Sequence, residues 1–380
     1  MQGKRNPLVE LGKTGQSPWL DYIHRGLIGS GELARLVTED GIKGVTSNPT
    51  IFEKAISGGH DYDDQIRALA SSGRSVHEVY DEIATEDIRR AADVLRPVYI
   101  STEGTDGFVS LEVDPDLAYD TKKTVRRAEE LFRKVSRPNV LIKIPATREG
   151  LPAIEQTIAS GIPVNVTLIF SVLRYEEVVE AYIRGIERLV AAGGDPSSVA
   201  SVASFFVSRV DTAVDKLLEG IIPRYPGSPK AETAAALLGK VAVANARLAY
   251  ARFRDIFSAP WWRELAEKGA RPQRPLWAST GTKNPKFSDV KYVEELIGPD
   301  TVNTMPPQTM DAFRDHGVVG DTLSAMEGEA AEVLRELGLL DIGIEEICEK
   351  LTKDGVNSFS ESFCKLLGAI ERRLAEASPA

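Results

Sequence analysis

Short runs of apolar residues recur along the chain, separated by longer stretches in which apolar positions return every three or four residues. The first pattern predicts strands buried on both faces, and the second predicts amphipathic helices laid over them. Residues 18–23 form a short apolar segment interrupted by Asp21, and Gly29, Ser30 and Gly31 then break the chain before a helix over Glu32–Glu39. A brief strand from Gly44 stops at Asn48-Pro49, because a residue preceding proline is disfavoured in the helical region. Helical spacing then runs to Leu95 through Tyr62, Ile66, Val79 and Ile83. Further strands are predicted at 108–113, 139–145, 163–170, 199–207, 274–280 and 301–305. Helices are predicted between them at 121–135, 148–160, 174–192, 211–257 with an interruption around 223–229, and 285–296.

Eight short strands, most of them separated by helices and with polar residues near their ends, predict the α/β class and a (β/α)8 barrel rather than two smaller domains. From 321 onwards the chain is expected to be helical, with Ile344, Ile347, Cys348 and Leu351 on one face and Phe359, Phe363, Leu366, Leu367 and Ile370 on another. The helices of 321–380 are expected to pack on the barrel, making 1–380 a single domain, and 376–380 reads as a frayed tail.

One polar residue is out of place in this pattern. Lys143 interrupts the run Asn-Val-Leu-Ile-Lys-Ile-Pro over 139–145, which otherwise reads as a fully buried strand. A lone buried ammonium loses much of its hydration energy and tends to shed its proton, and a neutral amine is a nucleophile towards carbonyls. The plain alternative is a strand-end lysine that carries its head to water. In a barrel, polar residues near the C-terminal strand ends converge on one pocket, and Asp21, Asn48, Glu112, Lys143, Asn165, Thr167 and Ser204 fall there. Asn165 and Thr167 are two apart in a strand and should share a face. Singly, Asp21 can cap a loop, Asn48 can form an Asx turn before Pro49, and Asn165 can bond a neighbouring backbone. Jointly, all of them need partners that one shared polar pocket would supply.

Such a set can run a defined reaction. A neutral Lys143 attacks a ketone, and the resulting iminium draws electrons from the adjacent carbon–carbon bond as it breaks. Asp21 and Glu112 are available as the base for the departing hydroxyl proton and the acid for carbinolamine dehydration, while Asn48, Asn165 and Ser204 can hold substrate hydroxyls. A carboxylate beside a lysine is equally a salt-bridge partner that leaves it inert, so geometry separates the two readings. Arg209 after the sixth strand, and the turn Ser279-Thr280-Gly281-Thr282-Lys283 after the seventh, bring two cations and several backbone N–H groups to the rim where barrels bind phosphate. That turn lacks P-loop spacing, and solvated loop charge is the alternative.

Composition narrows the partners. The chain carries a formal net charge of −10, which argues against general nucleic-acid affinity and for a soluble cytoplasmic protein. Cys348 and Cys364 lie apart, and the four histidines are scattered, so neither a disulfide framework nor a metal site is expected. Residues 1–16 do not resemble a signal peptide and no apolar run is long enough for a bilayer, so no membrane partner is expected.

These motifs resemble one family. Gly44-Val45-Thr46-Ser47-Asn48-Pro49-Thr50-Ile51-Phe52 resembles the first transaldolase signature. The run Val-Leu-Ile-Lys-Ile-Pro-Ala-Thr-Arg-Glu-Gly over 140–150 resembles the second, which contains the Schiff-base lysine, and the strand at 164–171 is also similar. The resemblance spans about 17–308 and implies a class I aldolase-type barrel of the pentose phosphate pathway that needs no metal or organic cofactor. Such a barrel moves a dihydroxyacetone unit between sugar phosphates, from sedoheptulose 7-phosphate to glyceraldehyde 3-phosphate. It further implies that Lys143 forms the Schiff base, that Asp21 handles the C4 hydroxyl proton, and that Glu112 works through a water beside Thr167. Asn48 and Asn165 would grip the three-carbon unit, Ser204 would be the strand-six serine, and Arg209 would lie on the phosphate side. Short members carry Ser-Phe-Arg after strand seven where this chain has Ser279 to Lys283, so the second phosphate cation is Lys283 or comes from elsewhere. The length and the sequence at 277–281 resemble a longer bacterial subfamily. Two other readings stay open: a related fructose 6-phosphate aldolase-like enzyme that releases dihydroxyacetone, and a non-catalytic barrel that binds sugar phosphates.

Overall fold

The apolar runs close into a barrel. In a computed structural model, which describes residues 5–377 apart from 71 and 325, eight strands are found among the described residues. They are β1 (Gln16–Leu20), β2 (Gly44–Val45), β3 (Phe108–Glu112), β4 (Val140–Pro145), β5 (Val164–Ile169), β6 (Ser201–Phe206), β7 (Arg274–Ala278) and β8 (Thr301–Met305). Neighbours pair in parallel and in sequence order, and β8 closes on β1. The surrounding helices bury the outer face of every strand, which is why β4 and β5 are inaccessible along their whole length.

β1 starts two residues before the apolar segment. Gln16 can be buried there because its side-chain amide donates to the Leu296 carbonyl at 2.6 Å and to Thr301 Oγ1 at 2.8 Å. β2 is only two residues long, and Trp19 packs across it: a Cβ on Gly44 would stand 2.4 Å from the indole, so only glycine fits. Asn48 is extended, and its Oδ1 accepts from the Ile51 N–H at 3.0 Å, capping the helix Pro49–Gly58 with Pro49 in its first turn.

Three expectations need correction. The helix expected over 285–296 is reduced to Lys291–Glu294, because Asn284 Oδ1 accepts from the Lys286 N–H at 3.0 Å and holds the preceding residues in a turn. Helix does not resume at 321 but at 327, since Asp321 Oδ1 accepts from the Leu323 and Ser324 N–H groups at 3.1 and 3.0 Å. The two apolar faces near the C-terminus belong to one helix, Ile344–Ala377, whose buried stripe runs through Cys348, Thr352, Val356, Phe359, Phe363, Leu366 and Ile370. Of the segment expected to fray, Glu376 and Ala377 are helical and 378–380 lie outside the described residues.

That C-terminal helix lies against Pro49–Gly58 and β5. Thr50 Oγ1 donates to Ser362 Oγ at 2.8 Å, and Cys348 Sγ donates to the Phe170 carbonyl at 3.1 Å. At the opposite end of the barrel, Asp106 accepts from Ser17 Oγ at 2.6 Å, from Trp19 Nε1 at 3.1 Å and from Arg274 Nη2 at 3.0 Å. Among the described residues no helix is long and apolar enough to cross a membrane.

Candidate active site

Register brings the central groups together. Glu112 on β3 pairs with Lys143 on β4, and Lys143 pairs with Asn165 on β5, so the three stand in one row. Lys143 is 4% exposed; its Nζ lies 3.3 Å from Glu112 Oε2 and donates to the Ser47 carbonyl at 3.2 Å. The amine does not reach solvent by snorkelling. Asp21 follows β1, and its backbone N–H donates to the Met305 carbonyl at 2.8 Å. Its Oδ1 accepts from Thr46 Oγ1 at 2.6 Å, and Thr46 Oγ1 is 2.7 Å from Thr304 Oγ1.

Burial pushes the Asp21 carboxyl above the usual range, against the opposing effects of Lys143, the Thr46 hydrogen bond and Arg209. Burial also raises Glu112, with Lys143 opposing and Asp21 adding to the rise. Two carboxyls raised in this way in the neighbourhood of one amine are suited to proton transfer.

A cavity of about 100 Å³ opens at this end of the barrel. Of the residues singled out in the sequence, Asp21, Asn48, Lys143, Ser204, Arg209 and Ser279 line it. Glu112, Asn165 and Thr167 are not on its wall. Glu112 reaches the cavity through Lys143, and Asn165 through Ser204, whose Oγ donates to Asn165 Oδ1 at 2.7 Å. Asn165 Nδ2 in turn donates to Ser110 Oγ at 3.0 Å, so both ends of this amide are held by protein. Thr167 is fully buried and shares a face with Asn165; its Oγ1 has no hydrogen-bond partner among the described residues. The next residue, Leu168, has φ 59° and sits where the β5–β6 register shifts, a bulge of the kind that re-aims side chains beside a site.

Arg209 lies on the cavity wall with its guanidinium 5.5 Å from the Phe206 ring; burial lowers it and Asp21 holds it up. Ser279, in the left-handed region at φ 57°, accepts through its carbonyl from the Ser208 N–H at 3.1 Å. Lys283 has an exposed side chain and is off the wall, although crowding by protein and then repulsion from Arg209 lower its ammonium. A larger cavity of about 300 Å³ lies at the other end, where β/α barrels do not place chemistry, and its Arg274 is already bound to Ser17 and Asp106.

Sequence reasoning missed Thr46, Ser110, Thr304, Phe206 and Phe359. Ser110 and Phe206 each lie two residues from a selected strand residue, so strand alternation could have found them. Phe359 comes from the C-terminal helix and carries no local signal. Among the described residues no group of three or more His, Cys, Asp or Glu side chains could hold a metal ion.

The family model described as Transaldolase/Fructose-6-phosphate aldolase matches residues 18–370. A protein of Parafrankia sp. named "Transaldolase" is 52% identical over 373 residues, covering 98% of this chain and 99% of that protein. Proteins of the same name from Acidothermus cellulolyticus and Thermobifida fusca are each 51% identical, covering 98% and 97% of this chain and 98% and 99% of theirs. The chain belongs to the transaldolase/fructose-6-phosphate aldolase family.

Proposed function

We propose that this member of the family transfers a dihydroxyacetone unit from sedoheptulose 7-phosphate to glyceraldehyde 3-phosphate, through a Schiff base on Lys143, giving erythrose 4-phosphate and fructose 6-phosphate. Full-length relatives named transaldolase support the activity. The observation that carries the site assignment is the buried Lys143 amine, 3.3 Å from Glu112 on one side and open to a cavity walled by Asp21 on the other.

Lys143 Nζ adds to the donor ketone, and loss of water from the carbinolamine gives the iminium. Glu112, within direct reach of the nitrogen, supplies the proton for that dehydration, and Thr167 Oγ1 is free to hold a water that relays it. Asp21 takes the C4 hydroxyl proton; the C3–C4 bond breaks, an aldose phosphate leaves, and the electron pair passes into the enamine. The reverse steps join the three-carbon unit to the acceptor aldehyde. Asn48 and Ser204 hold the hydroxyls of this unit, with Asn165 orienting Ser204. Arg209 receives the phosphate beside Ser279, while Lys283 adds charge from the rim. A cytoplasmic setting accords with phosphorylated substrates and a net charge of −10.

Product analysis with fructose 6-phosphate, with and without erythrose 4-phosphate, tests this reading. Turnover that depends on the acceptor is expected. Stoichiometric free dihydroxyacetone in the presence of acceptor would instead mark a hydrolytic aldolase.

A further inference from the structure

We infer that Phe359, carried by the C-terminal helix, keeps water from the enamine carbon and so sets the balance between transfer to an acceptor and release of dihydroxyacetone. The inference rests on the Schiff-base reading above and goes beyond it, because no strand of the barrel supplies this residue. Phe359 is 4% exposed, lines the catalytic cavity, and has its ring centroid 5.8 Å from Lys143 Nζ. A nitrogen that becomes cationic in the iminium thus lies within the roughly 6 Å over which a ring attracts a cation. The same ring presents a surface to which water cannot hydrogen-bond.

The helix is held so that this ring cannot easily withdraw. On one side Thr50, in the helix that Asn48 caps, donates to Ser362 at 2.8 Å. On the other, Cys348 Sγ donates to the Phe170 carbonyl at 3.1 Å, just past β5. Between these fastenings Gly355 meets the β5 bulge, where a Cβ would stand 2.8 Å from Leu168 Cδ2. A side chain here would press on the Leu168 methyl, so glycine eases the close approach of the helix, and Phe359 follows one turn later on the same buried stripe. Phe363, a further turn on, packs against His77 and Tyr80 with centroids at 5.9 and 5.2 Å and does not line the cavity. It anchors the helix without facing the chemistry.

The two fates of the enamine differ in what its carbon bonds to, the acceptor aldehyde carbon or a proton from water. In transfer, the enamine carbon forms a bond to the acceptor aldehyde carbon, the aldehyde oxygen takes the proton from Asp21, and water then hydrolyses the iminium to free the ketose phosphate and the Lys143 amine. In release, a water proton adds to that carbon instead and the hydroxide adds to the iminium carbon, so that one water yields dihydroxyacetone and the free amine. A side chain that excludes water from the enamine carbon slows only the second route.

The experiment uses the full chain with fructose 6-phosphate and a fixed concentration of erythrose 4-phosphate. It reads free dihydroxyacetone per molecule of transfer product, alongside the Lys143 adduct trapped by borohydride. A ratio is independent of how much of a variant folds. Phe359→Ala is expected to raise it severalfold and Phe359→Leu by less, with the adduct retained, whereas Phe363→Leu keeps the wild-type ratio while lowering Tm. An unchanged ratio in both Phe359 variants, or an equal rise in Phe363→Leu, would overturn the inference alone. Absence of an adduct in the wild type would overturn the Schiff-base reading and this inference with it.

Discussion

Glu112 and Lys143 are register partners on adjacent strands, and their side chains meet at 3.3 Å where both are nearly inaccessible. Such a pair is either a clamp or a route for a proton. The clamp alone does not explain why the amine also faces a cavity that carries a second raised carboxyl, Asp21.

Glu112→Gln separates the two roles because it keeps the size and a hydrogen-bonding group but removes the transferable proton. Turnover is expected to fall by roughly 10²–10⁴-fold, the usual worth of general acid–base catalysis, with KM for the donor changing little. Steady-state kinetics at several donor concentrations checks this. A loss confined to thermal stability would make Glu112 a structural partner of the lysine.

In the proposed mechanism Asp21 sets the acid limb of the pH profile. It must be a carboxylate to accept the C4 proton, and its raised pKa means that activity is lost as pH falls through a value above the ordinary aspartate pKa of about 3.9. The Thr46 hydrogen bond lowers that pKa, so Thr46→Val is expected to raise it and move the acid limb of kcat/KM to higher pH. A limb that stays in place, or moves down, would assign the titration to another group.

The fold was legible wherever an apolar run met a helical repeat. β3 to β8 could be read because parallel strands covered on both faces need apolar residues at almost every position. Lys143 could be read because it breaks such a run, and Asn165 with Thr167 because alternation puts them on one face. Pairings between distant strands were not legible. Neither the Thr46 link to Asp21 and Thr304 nor the Ser110 link to Asn165 has a trace in local spacing. Phe359 joins the site through the packing of a helix after all eight strands, and the side-chain turns at Asn284 and Asp321 overrode helical patterns nearby.

Arg209 and Lys283 should contribute unequally to phosphate binding. Arg209 lines the cavity, whereas Lys283 is exposed at its rim. Arg209→Ala is expected to raise KM for fructose 6-phosphate by more than tenfold, on the ~1.5–3 kcal/mol of a hydrogen bond to a charged group. Lys283→Ala is expected to raise it by less, in a manner that weakens with added salt. Equal effects from the two would place the phosphate further out.

Stability should depend on the far end of the barrel and leave the chemistry alone. Asp106→Ala strands Arg274, Ser17 and Trp19 without their shared acceptor, and breaking a buried pair of this kind costs about 3–5 kcal/mol. Urea unfolding should show that loss, while kcat per folded molecule stays near wild type. A matching fall in kcat would mean that the two ends of the barrel are coupled.

Borohydride reduction in the presence of fructose 6-phosphate, followed by peptide mapping, tests the Schiff base itself. A single reduced three-carbon adduct on Lys143 is expected in the wild type and none in Lys143→Met. An adduct on another lysine, or full turnover with nothing trapped, would contradict the assignment of Lys143.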